Sequence, residues 1–300
     1  MENKKNFTGR VIEVLSNLCN VEIDNYKIIS AGISGALKKN TTIMVGDIVE
    51  IEFLYDTYVI RGIKKRSNFF IRPPVANIDN LIICVSLNDP KPDYLLLDKQ
   101  LILCKSKNIK PIICINKIDM ISNNTYLEDE IDYIKKVYGN LFIDIFFVSA
   151  KQNTGLDELK EKIKGKVSAF SGNSGVGKSS ITSIISKNEA IEIGEISKKN
   201  LKGKNTTKYI KLYDIGENTY VLDTPGFSSY ELFDIEYKDL KNYYMDFLKF
   251  KCKYEDCSHV LEDECEIKKQ VKLGNIDSRR YERYKYLYLD LKEKDKRKYK

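Results

Sequence analysis

The pattern of apolar positions changes near residue 68. Before that point, within residues 7–63, Val49, Ile51 and Phe53 alternate with glutamates, which is the period-two pattern of a half-buried strand. Several short runs rich in β-branched residues, punctuated by glycines, predict a small β-barrel of the OB type. Such a barrel serves either as a structural module or as a nucleic-acid reader, and the strand pattern does not choose between the two.

Beyond residue 68 the apolar residues form continuous runs, each followed by a stretch with helical spacing. Such runs are typical of parallel strands covered on both faces, so the alternation predicts an α/β domain with a mostly parallel sheet. Ligands of such sheets bind at the carboxyl ends of the strands. The predicted strands span residues 81–85, 111–115, 141–148, 167–170 and 219–222, and the predicted helices span 94–104, 127–137, 156–164 and 178–186.

Composition limits the class of protein. Of the 300 residues, 42% are hydrophobic and 31% are charged, as in ordinary globular chains. No apolar run approaches the roughly 18 residues that a membrane helix needs. The polar N-terminus lacks the apolar core of a signal peptide. We therefore expect a cytoplasmic protein that does not act at a membrane.

The formal net charge of +7 is concentrated at the C-terminus, where ten basic and four acidic residues lie between positions 279 and 300. Arg279, Arg280 and Arg283 interleave there with aromatic residues. The tyrosines of this tail are Tyr281, Tyr284, Tyr286 and Tyr288. Arginine and tyrosine suit phosphate contact and base stacking, so the tail is a candidate RNA contact. The alternative is a helix whose tyrosines pack inward on the preceding module.

Residues 172–179 read G-x-x-x-x-G-K-S between an apolar run and a helical stretch, which is the strand–loop–helix context of a phosphate-binding P-loop. Glycines let backbone N–H groups turn toward a phosphate chain, and the helix presents its positive end to the same anion. Lys178 is predicted to reach the β- and γ-phosphates, and Ser179 to hold Mg²⁺. The predicted phosphate-binding residues are Gly172, Asn173, Ser174, Gly175, Val176, Gly177, Lys178, Ser179 and Ser180.

Two further motifs follow strands that precede the P-loop in sequence. Asp119 ends an N-K-x-D pattern, and its carboxylate can accept hydrogen bonds from guanine N1–H and the 2-amino group together. Adenine lacks this pair of donors, so the motif predicts guanine nucleotides and argues against an unrelated ATPase or kinase. Asn116 is expected to tie its loop to the P-loop. The predicted base-binding residues are Asn116, Lys117, Ile118 and Asp119, with Ser149, Ala150 and Lys151 in an S-A-K pattern.

A D-T-P-G pattern follows the last predicted strand. Asp223 is predicted to hold Mg²⁺ through water, and the Gly226 N–H to meet the γ-phosphate. A basic loop, residues 198–208, lies between the P-loop and this sensor. Either Thr206 or Thr207 is expected to complete the Mg²⁺ shell, and the sequence does not choose between them.

The order of the motifs is unusual. In an ordinary GTPase the P-loop comes first and the N-K-x-D and S-A-K patterns come last, whereas here both patterns precede the P-loop. The same sheet can still form, because chain termini that lie close in space tolerate a cut and a rejoining elsewhere. The sequence therefore predicts a circularly permuted GTPase whose sensor leads directly into the C-terminal module.

That module contains a compact group of metal-ligand residues with the spacing C-x₄-C-x-H-x₅-C, and its histidine is the only one in the chain. Three thiolates and one imidazole form a closed tetrahedral zinc site, which supports folding rather than catalysis. Free thiols or a redox pair are the alternative. The predicted zinc ligands are Cys252, Cys257, His259 and Cys265.

This order of motifs resembles the ribosome small-subunit-dependent GTPase A (RsgA) family over essentially the whole chain. The runs at 76–79 (A-N-I-D) and 194–197 (G-E-I-S) resemble the family as well. The resemblance implies an α/β fold in three parts. These are an N-terminal OB-type barrel (1–68), a circularly permuted P-loop GTPase domain (69–230) and an α-helical zinc-binding domain with a basic tail (231–300).

The resemblance also implies a function. We expect a slow GTPase that binds GTP and GDP with Mg²⁺, carries one structural Zn²⁺ and acts as a monomer. The family members bind the small (30S) ribosomal subunit and its 16S rRNA, are stimulated by the subunit and assist its late maturation. For RNA contact, the barrel face and the C-terminal tail are the candidate surfaces.

One departure from the family concerns the attacking water. Family members usually carry a histidine before the paired threonines, where this chain has Asn205. Asparagine can hydrogen-bond a water but accepts no proton at neutral pH, so hydrolysis by the isolated protein is expected to be very slow. The alternative function is an RNA-binding assembly checkpoint that senses GTP and GDP with negligible turnover. The predicted catalytic residues are Lys178, Asn205, Thr206, Thr207, Asp223 and Gly226.

Overall fold

The structure is a computed structural model that describes residues 5–120, 125–186, 210–223, 232 and 234–298. Its N-terminal part is a closed barrel in which the strands are ordered β1-β2-β3-β5-β4. A short helix, α1, connects β3 to β4. The barrel elements are β1 (Lys5–Val14), β2 (Leu18–Ile23), β3 (Lys27–Ile33), α1 (Gly35–Asn40), β4 (Ile48–Leu54) and β5 (Thr57–Ile63).

The inward residues of the barrel are the apolar members of the period-two pattern. Val11, Val49 and Ile60 are fully buried, whereas Glu50, which alternates with them, faces solvent. The barrel predicted from this pattern is confirmed. After it, a two-stranded ribbon forms from β6 (Phe69–Phe70) and β7 (Val75–Ala76).

The central sheet has the strand order β10-β9-β8-β11-β13-β12, and every pair in it is parallel except β12 with β13. The predicted mostly parallel sheet is therefore confirmed. Its strands are β8 (Asn80–Ser86), β9 (Lys110–Asn116), β10 (Asp144–Phe147), β11 (Val167–Ser171), β12 (Leu212–Asp214) and β13 (Tyr220–Asp223). Its helices are α2 (Tyr94–Ser106), α3 (Thr125–Tyr138), α4 (Leu156–Lys162) and α5 (Lys178–Ser186).

The strand predicted at 141–148 is shorter than expected. Residues 139–141 form a turn of 3₁₀ helix, and Phe142 after it has a left-handed backbone with φ of 58°. Gly139 and Asn140 favour this turn because both residue types suit turns. The first residues of the apolar run therefore lie before the strand, and β10 begins only at Asp144.

The central position of β8 explains how the permuted chain still builds one site. β8 pairs with β9 on one side and with β11 on the other, so the three carboxyl ends lie side by side. Parallel neighbours are about 4.8 Å apart, which separates the ends of β9 and β11 by roughly 10 Å. That distance is within the reach of one nucleotide.

The C-terminal module consists of short 3₁₀ turns and two helices, α6 (Glu266–Lys272) and α7 (Ser278–Lys298). Its own apolar core contains the fully buried Tyr244, Ile267 and Tyr284. The core continues onto Ile102 of α2, so the module packs directly on the central sheet's helix layer. The boundaries at 68 and 230 stay predictions, since residue 230 lies outside the described residues.

The C-terminal tail corrects one expectation. Arg280 is only 3% exposed and forms ion pairs with Asp98 of α2 and with Asp246, the latter at 3.1 Å. Arg283 also donates to Asp98, at 2.5 Å. The prediction that these two arginines contact RNA is therefore wrong, because their charges are paired inside the protein.

Most of the tyrosines of α7 are buried inside the protein as well. Tyr281, Tyr284 and Tyr288 are buried, whereas Tyr286 is 57% exposed. The helical repeat explains this difference, since residues three and four positions apart share one face. For Tyr281, Tyr284 and Tyr288 the alternative, in which the tyrosines pack inward on the module, is the correct one. None of the helices within the described ranges combines the length and apolar character that crossing a bilayer requires.

Candidate nucleotide site and metal centre

The P-loop after β11 has the backbone shape of a phosphate cradle. Gly172, Gly175 and Gly177 all have positive φ, at 131°, 80° and 94°. A Cβ at Gly172 would lie 2.2 Å from the carbonyl oxygen of Cys84 in β8, so only glycine fits there. Val176 is 2% exposed and anchors the loop in the apolar core.

Lys178 begins α5 and folds back over this loop. Its Nζ donates to the carbonyl oxygens of Gly172, at 2.9 Å, and Asn173, at 2.8 Å. The ammonium group therefore lies over the centre of the loop, where a phosphate chain would bind. Ser179 and Ser180 follow in the first turn of the helix, whose positive end adds to the same field.

Asn116, the last residue of β9, connects three of the motifs. Its Nδ2 donates to the carbonyl oxygen of Val176 at 2.8 Å, and its Oδ1 accepts from the N–H of Ala150 at 3.1 Å. The side chain is 2% exposed, so both hydrogen bonds are shielded from water. The N-K-x-D loop, the S-A-K loop and the P-loop are thus in direct contact at one edge of the sheet.

The side chain of Asp119 is oriented by a neighbouring hydroxyl. Ser149 Oγ donates to Asp119 Oδ1 at 2.6 Å, and the same Oγ accepts from the Gln152 N–H at 3.0 Å. Ser149 is fully buried. One carboxylate oxygen of Asp119 is therefore held by the protein, which leaves the other free to face a base.

The loop between β8 and α2 is a wall of the site that the sequence analysis did not predict. Lys117 Nζ donates to the carbonyl oxygen of Asp89, and Lys91, Pro92 and Asp93 line a small cavity with Gly172 and Asn173 of the P-loop. No motif marks this loop. The signal that could have found it is its position after β8, whose carboxyl end lies between the other two loops.

Of the remaining predicted residues, some lie within the described part of the chain and others lie outside it. Asp223 ends β13, opposite Phe170 of β11, so its backbone lies one strand away from the start of the P-loop. Ile118 lies in a short 3₁₀ turn with Asp119, while Lys151 and Ser174 are exposed at the rim. Four residues fall outside the described part of the chain, namely Asn205, Thr206, Thr207 and Gly226.

Cys252, Cys257, His259 and Cys265 form one cluster in the C-terminal module. Their ligand atoms all lie within 4.8 Å of one another. Cys252 Sγ is 3.8 Å from Cys265 Sγ and 3.4 Å from His259 Nδ1. A tetrahedral zinc with bonds of about 2.3 Å to sulfur separates its sulfur ligands by about 3.8 Å, so the donor set and its spacing fit Zn²⁺.

Burial shapes the chemistry of these ligands. It raises the pKa of the Cys257 and Cys265 thiols, and burial together with the nearby Lys241 lowers the pKa of His259 to about 4. The imidazole is thus neutral at physiological pH, with Nδ1 directed at the sulfurs. A neutral imidazole is the form that ligates a metal.

Backbone contacts hold the ligand loop in place. Tyr281 of α7 donates its hydroxyl to the carbonyl oxygen of His259 at 2.7 Å, and Tyr284 does the same to Ser258 at 2.6 Å. Glu262 accepts from the N–H and the hydroxyl of Ser258, at 3.0 and 2.8 Å. His259 itself has a left-handed backbone with φ of 61°. The loop is therefore shaped by α7 as well as by its ligands.

The RsgA GTPase family matches residues 63–233, which is more than half of the chain. The chain belongs to the RsgA GTPase family. A small ribosomal subunit biogenesis GTPase RsgA from Caldanaerobacter subterraneus is 36% identical over 297 residues, covering 97% of this chain and 98% of that protein.

Two solved structures agree with this assignment. YjeQ from Thermotoga maritima is 33% identical and superposes with a TM-score of 0.84, covering 96% of this chain and 99% of that one. YloQ, described as a circularly permuted GTPase, is 29% identical with a TM-score of 0.81, covering 97% and 96%. The predicted family, its GTP-hydrolysing activity and the circular permutation are confirmed.

Gly177 provides a test of the contact between the two loops. A Cβ at this position would lie 2.2 Å from Asn116 Nδ2, whereas a Cβ at Gly175 would meet only Pro90 Cδ, at 3.7 Å. Both positions have positive φ, so Gly177→Ala and Gly175→Ala share a backbone strain of roughly 1–2 kcal/mol. Gly177→Ala also breaks the Asn116–Val176 hydrogen bond. We expect its GDP affinity to fall about tenfold below that of Gly175→Ala.

Titration with a fluorescent GDP analogue measures this difference directly. Thermal unfolding of both variants serves as the control, because a nonspecific loss of fold would lower both transitions together. Equal affinities for the two variants would contradict the role given to the Asn116 contact.

Proposed function

We propose that this chain is a GTPase that assists the late maturation of the small (30S) ribosomal subunit. The relatives of similar length are named small ribosomal subunit biogenesis GTPases, and the chain covers nearly the full length of one of them. The single observation that carries the nucleotide half of the proposal is Asn116, whose two hydrogen bonds join the base-reading loops to the P-loop.

In the proposed site, guanine lies between the N-K-x-D and S-A-K loops. Asp119 accepts from N1–H and the 2-amino group, while Ser149 fixes the orientation of its carboxylate. The stem of Lys117 covers one face of the base, and the backbone of Ala150 and Lys151 meets O6. The phosphates then extend into the P-loop, where Lys178 exchanges its two carbonyl contacts for the β- and γ-phosphates.

Hydrolysis is proposed to need Mg²⁺ held by Ser179 and by Thr206 or Thr207, with Asp223 binding it through water. When bound, the ion neutralises charge that develops on the phosphates. Gly226 is proposed to sense the γ-phosphate. Asn205 is the candidate for orienting the attacking water. Because asparagine takes up no proton, turnover by the isolated protein is expected to be slow.

The C-terminal module is proposed to hold one structural Zn²⁺ through Cys252, Cys257, His259 and Cys265. With four protein ligands the ion has no open position, so it contributes stability and shape. We propose that the protein acts in the cytoplasm as a monomer. The barrel face is proposed to contact 16S rRNA, since Arg280 and Arg283, two of the three candidate arginines of α7, are paired within the protein.

GTP turnover with and without purified small subunits, at two salt concentrations, tests the proposal. We expect slow release of phosphate by the protein alone and a large stimulation by the subunits that weakens as salt rises, because binding to RNA phosphates is salt-dependent. Purified large subunits are the matched control. Stimulation by large subunits to the same degree, or by neither, would contradict the proposal.

The second candidate function is an RNA-binding checkpoint that exchanges GTP and GDP with negligible turnover. The residue that favours it is Asn205, which stands where family members usually carry histidine. The same assay separates the candidates, because the checkpoint binds the subunit in a nucleotide-dependent manner without accelerated phosphate release. Replacing Asn205 by alanine would leave a checkpoint unaffected and slow a GTPase that relies on this side chain.

A further inference from the structure

A cleft of about 610 Å³ lies between the barrel and the central sheet, away from the P-loop. One wall comes from α1 and the end of β5, and the other from the end of α2. The floor is the segment that joins the barrel to the sheet, including Arg66 and Phe69. Its volume is within the range of about 300–1,000 Å³ that is typical of small-ligand sites. Neither the nucleotide site nor the metal centre uses these residues.

The charge of the cleft is one-sided. Its lining includes Lys64, Arg66 and Lys107, and among the described residues that line it none is acidic. Arg66 is held by the buried Asp47, with contacts of 2.6 and 2.7 Å, so it is a fixed part of the wall. Lys64 is exposed, and the adjoining Lys65 is exposed as well. Because Asp47 balances the charge of Arg66, the exposed lysines are the groups that attract anions to the cleft.

Lys107 can be released to an anion at little cost. Its Nζ lies 3.3 Å from Asp234 Oδ2, at the surface, where the side chains of Lys107 and Asp234 are 27% and 68% exposed. Ion pairs between exposed side chains contribute about 0–1 kcal/mol to stability. A phosphate that enters the cleft can therefore replace Asp234 as the partner of Lys107 without disturbing the fold.

The cleft also contains an exposed aromatic ring. Phe69 is 43% exposed, although its neighbour Phe70 is only 4% exposed. The Arg66 guanidinium and the Lys107 ammonium lie 5.7 and 6.0 Å from the centre of the Phe69 ring. These distances are at the outer limit of cation–π contact, so neither cation covers the ring closely. A flat ring flanked by cations is the arrangement on which unstacked bases bind.

We infer that this cleft binds a segment of single-stranded RNA, with one unstacked base against Phe69 and the flanking phosphates on Lys64 and Lys107. An acidic peptide would bind the cations and leave the Phe69 ring uncovered. An RNA strand contacts the cations through its phosphates and the ring through a base. The choice of RNA over DNA rests on the proposed function. The cleft would thus give the protein an RNA contact where its barrel joins its GTPase sheet.

The test uses the full-length protein saturated with GDP and Mg²⁺, and a fluorescein-labelled single-stranded RNA of about 12 nucleotides and mixed sequence. Binding is followed by fluorescence anisotropy. We expect Phe69→Ala to weaken binding about tenfold and Phe69→Trp to keep it, since stacking needs a ring of any kind. The double variant Lys64→Ala/Lys107→Ala should reduce the slope of log affinity against log salt by about 1.4.

Phe142→Ala is the matched control, because Phe142 is 92% exposed beside Lys249, lies outside the barrel and does not line the cleft. An undiminished affinity in Phe69→Ala, or an equal loss in Phe142→Ala, overturns the inference. Displacement of the RNA by millimolar CMP means that the cleft takes a free nucleotide, and displacement by polyglutamate alone means an acidic protein; either result overturns it. If Phe69→Ala binds RNA normally while small subunits still stimulate GTP turnover, the cleft fails and the proposed function stands.

Discussion

Asp119→Asn is expected to weaken GDP binding about a thousandfold and to move the preference of the site to xanthosine diphosphate. A carboxylate accepts from both guanine donors, whereas the amide of asparagine presents an N–H₂ to one of them. Sites built around such hydrogen bonds reject the wrong partner strongly, since a buried polar group is left unpaired. Xanthine carries a carbonyl oxygen in place of the 2-amino group. The amide of asparagine can donate a hydrogen bond to this oxygen.

The hydrogen bond from Ser149 makes this switch specific. Ser149 Oγ donates to Asp119 Oδ1 at 2.6 Å, and an asparagine in this position can still accept it through its own carbonyl oxygen. That contact would direct the new amide nitrogen toward the base. We therefore expect Asp119→Asn to be a folded protein with altered specificity, and Ser149→Ala combined with it to lose part of the preference for xanthosine diphosphate.

Calorimetric titration with GDP and with xanthosine diphosphate checks this expectation. Asp157→Asn is the matched control, because Asp157 is an exposed carboxylate in the first turn of α4, on the same domain. It should bind GDP as the unaltered protein does. An Asp119→Asn variant that keeps its GDP affinity would remove the basis for guanine recognition by this loop.

Much of the geometry of the candidate nucleotide site could be predicted from the sequence, because its parts are motifs at strand ends. Asn116 and Gly172 each follow a continuous apolar run, and parallel strands bring their carboxyl ends to one edge. The permuted order of motifs caused no error in the predicted sheet. It alters the loops that connect the strands and leaves β8 between β9 and β11. The walls of the site were harder to predict. The carbonyl oxygen of Asp89, which accepts from Lys117, is a backbone group and has no signature in the sequence.

The error at the C-terminal tail has a different cause. The interleaved arginines and tyrosines of α7 have the same composition whether they face RNA or the protein's own core. The partner that decides the question for Arg280 is Asp98, which lies 182 positions away in sequence. The sequence did not indicate that Phe69 is exposed either, because its exposure depends on how the barrel packs against α2. Long-range contacts of this kind are set by tertiary packing, and local patterns carry little information about them.

Cys265→Ser is expected to abolish stoichiometric zinc binding and to unfold the metal-ligand loop. Zinc binding contributes about 10–16 kcal/mol to the folding of small structural sites, more than any single apolar contact in the module. Cys265 also forms the N-cap of α6, so the start of that helix is coupled to the cluster. The variant should contain close to zero zinc per chain and lose the part of its thermal transition that belongs to the C-terminal module.

Metal analysis together with thermal unfolding tests this expectation, and Cys104→Ala is the matched control. Cys104 is fully buried in a different apolar cluster, so its loss creates a cavity without removing a ligand. We expect Cys104→Ala to retain one zinc per chain at a lowered melting temperature. Cys265→Ser should keep its GDP affinity, since the P-loop contacts do not pass through the cluster. A Cys265→Ser protein with a full complement of zinc would contradict the four-ligand site, because three remaining ligands bind the ion far less tightly than four.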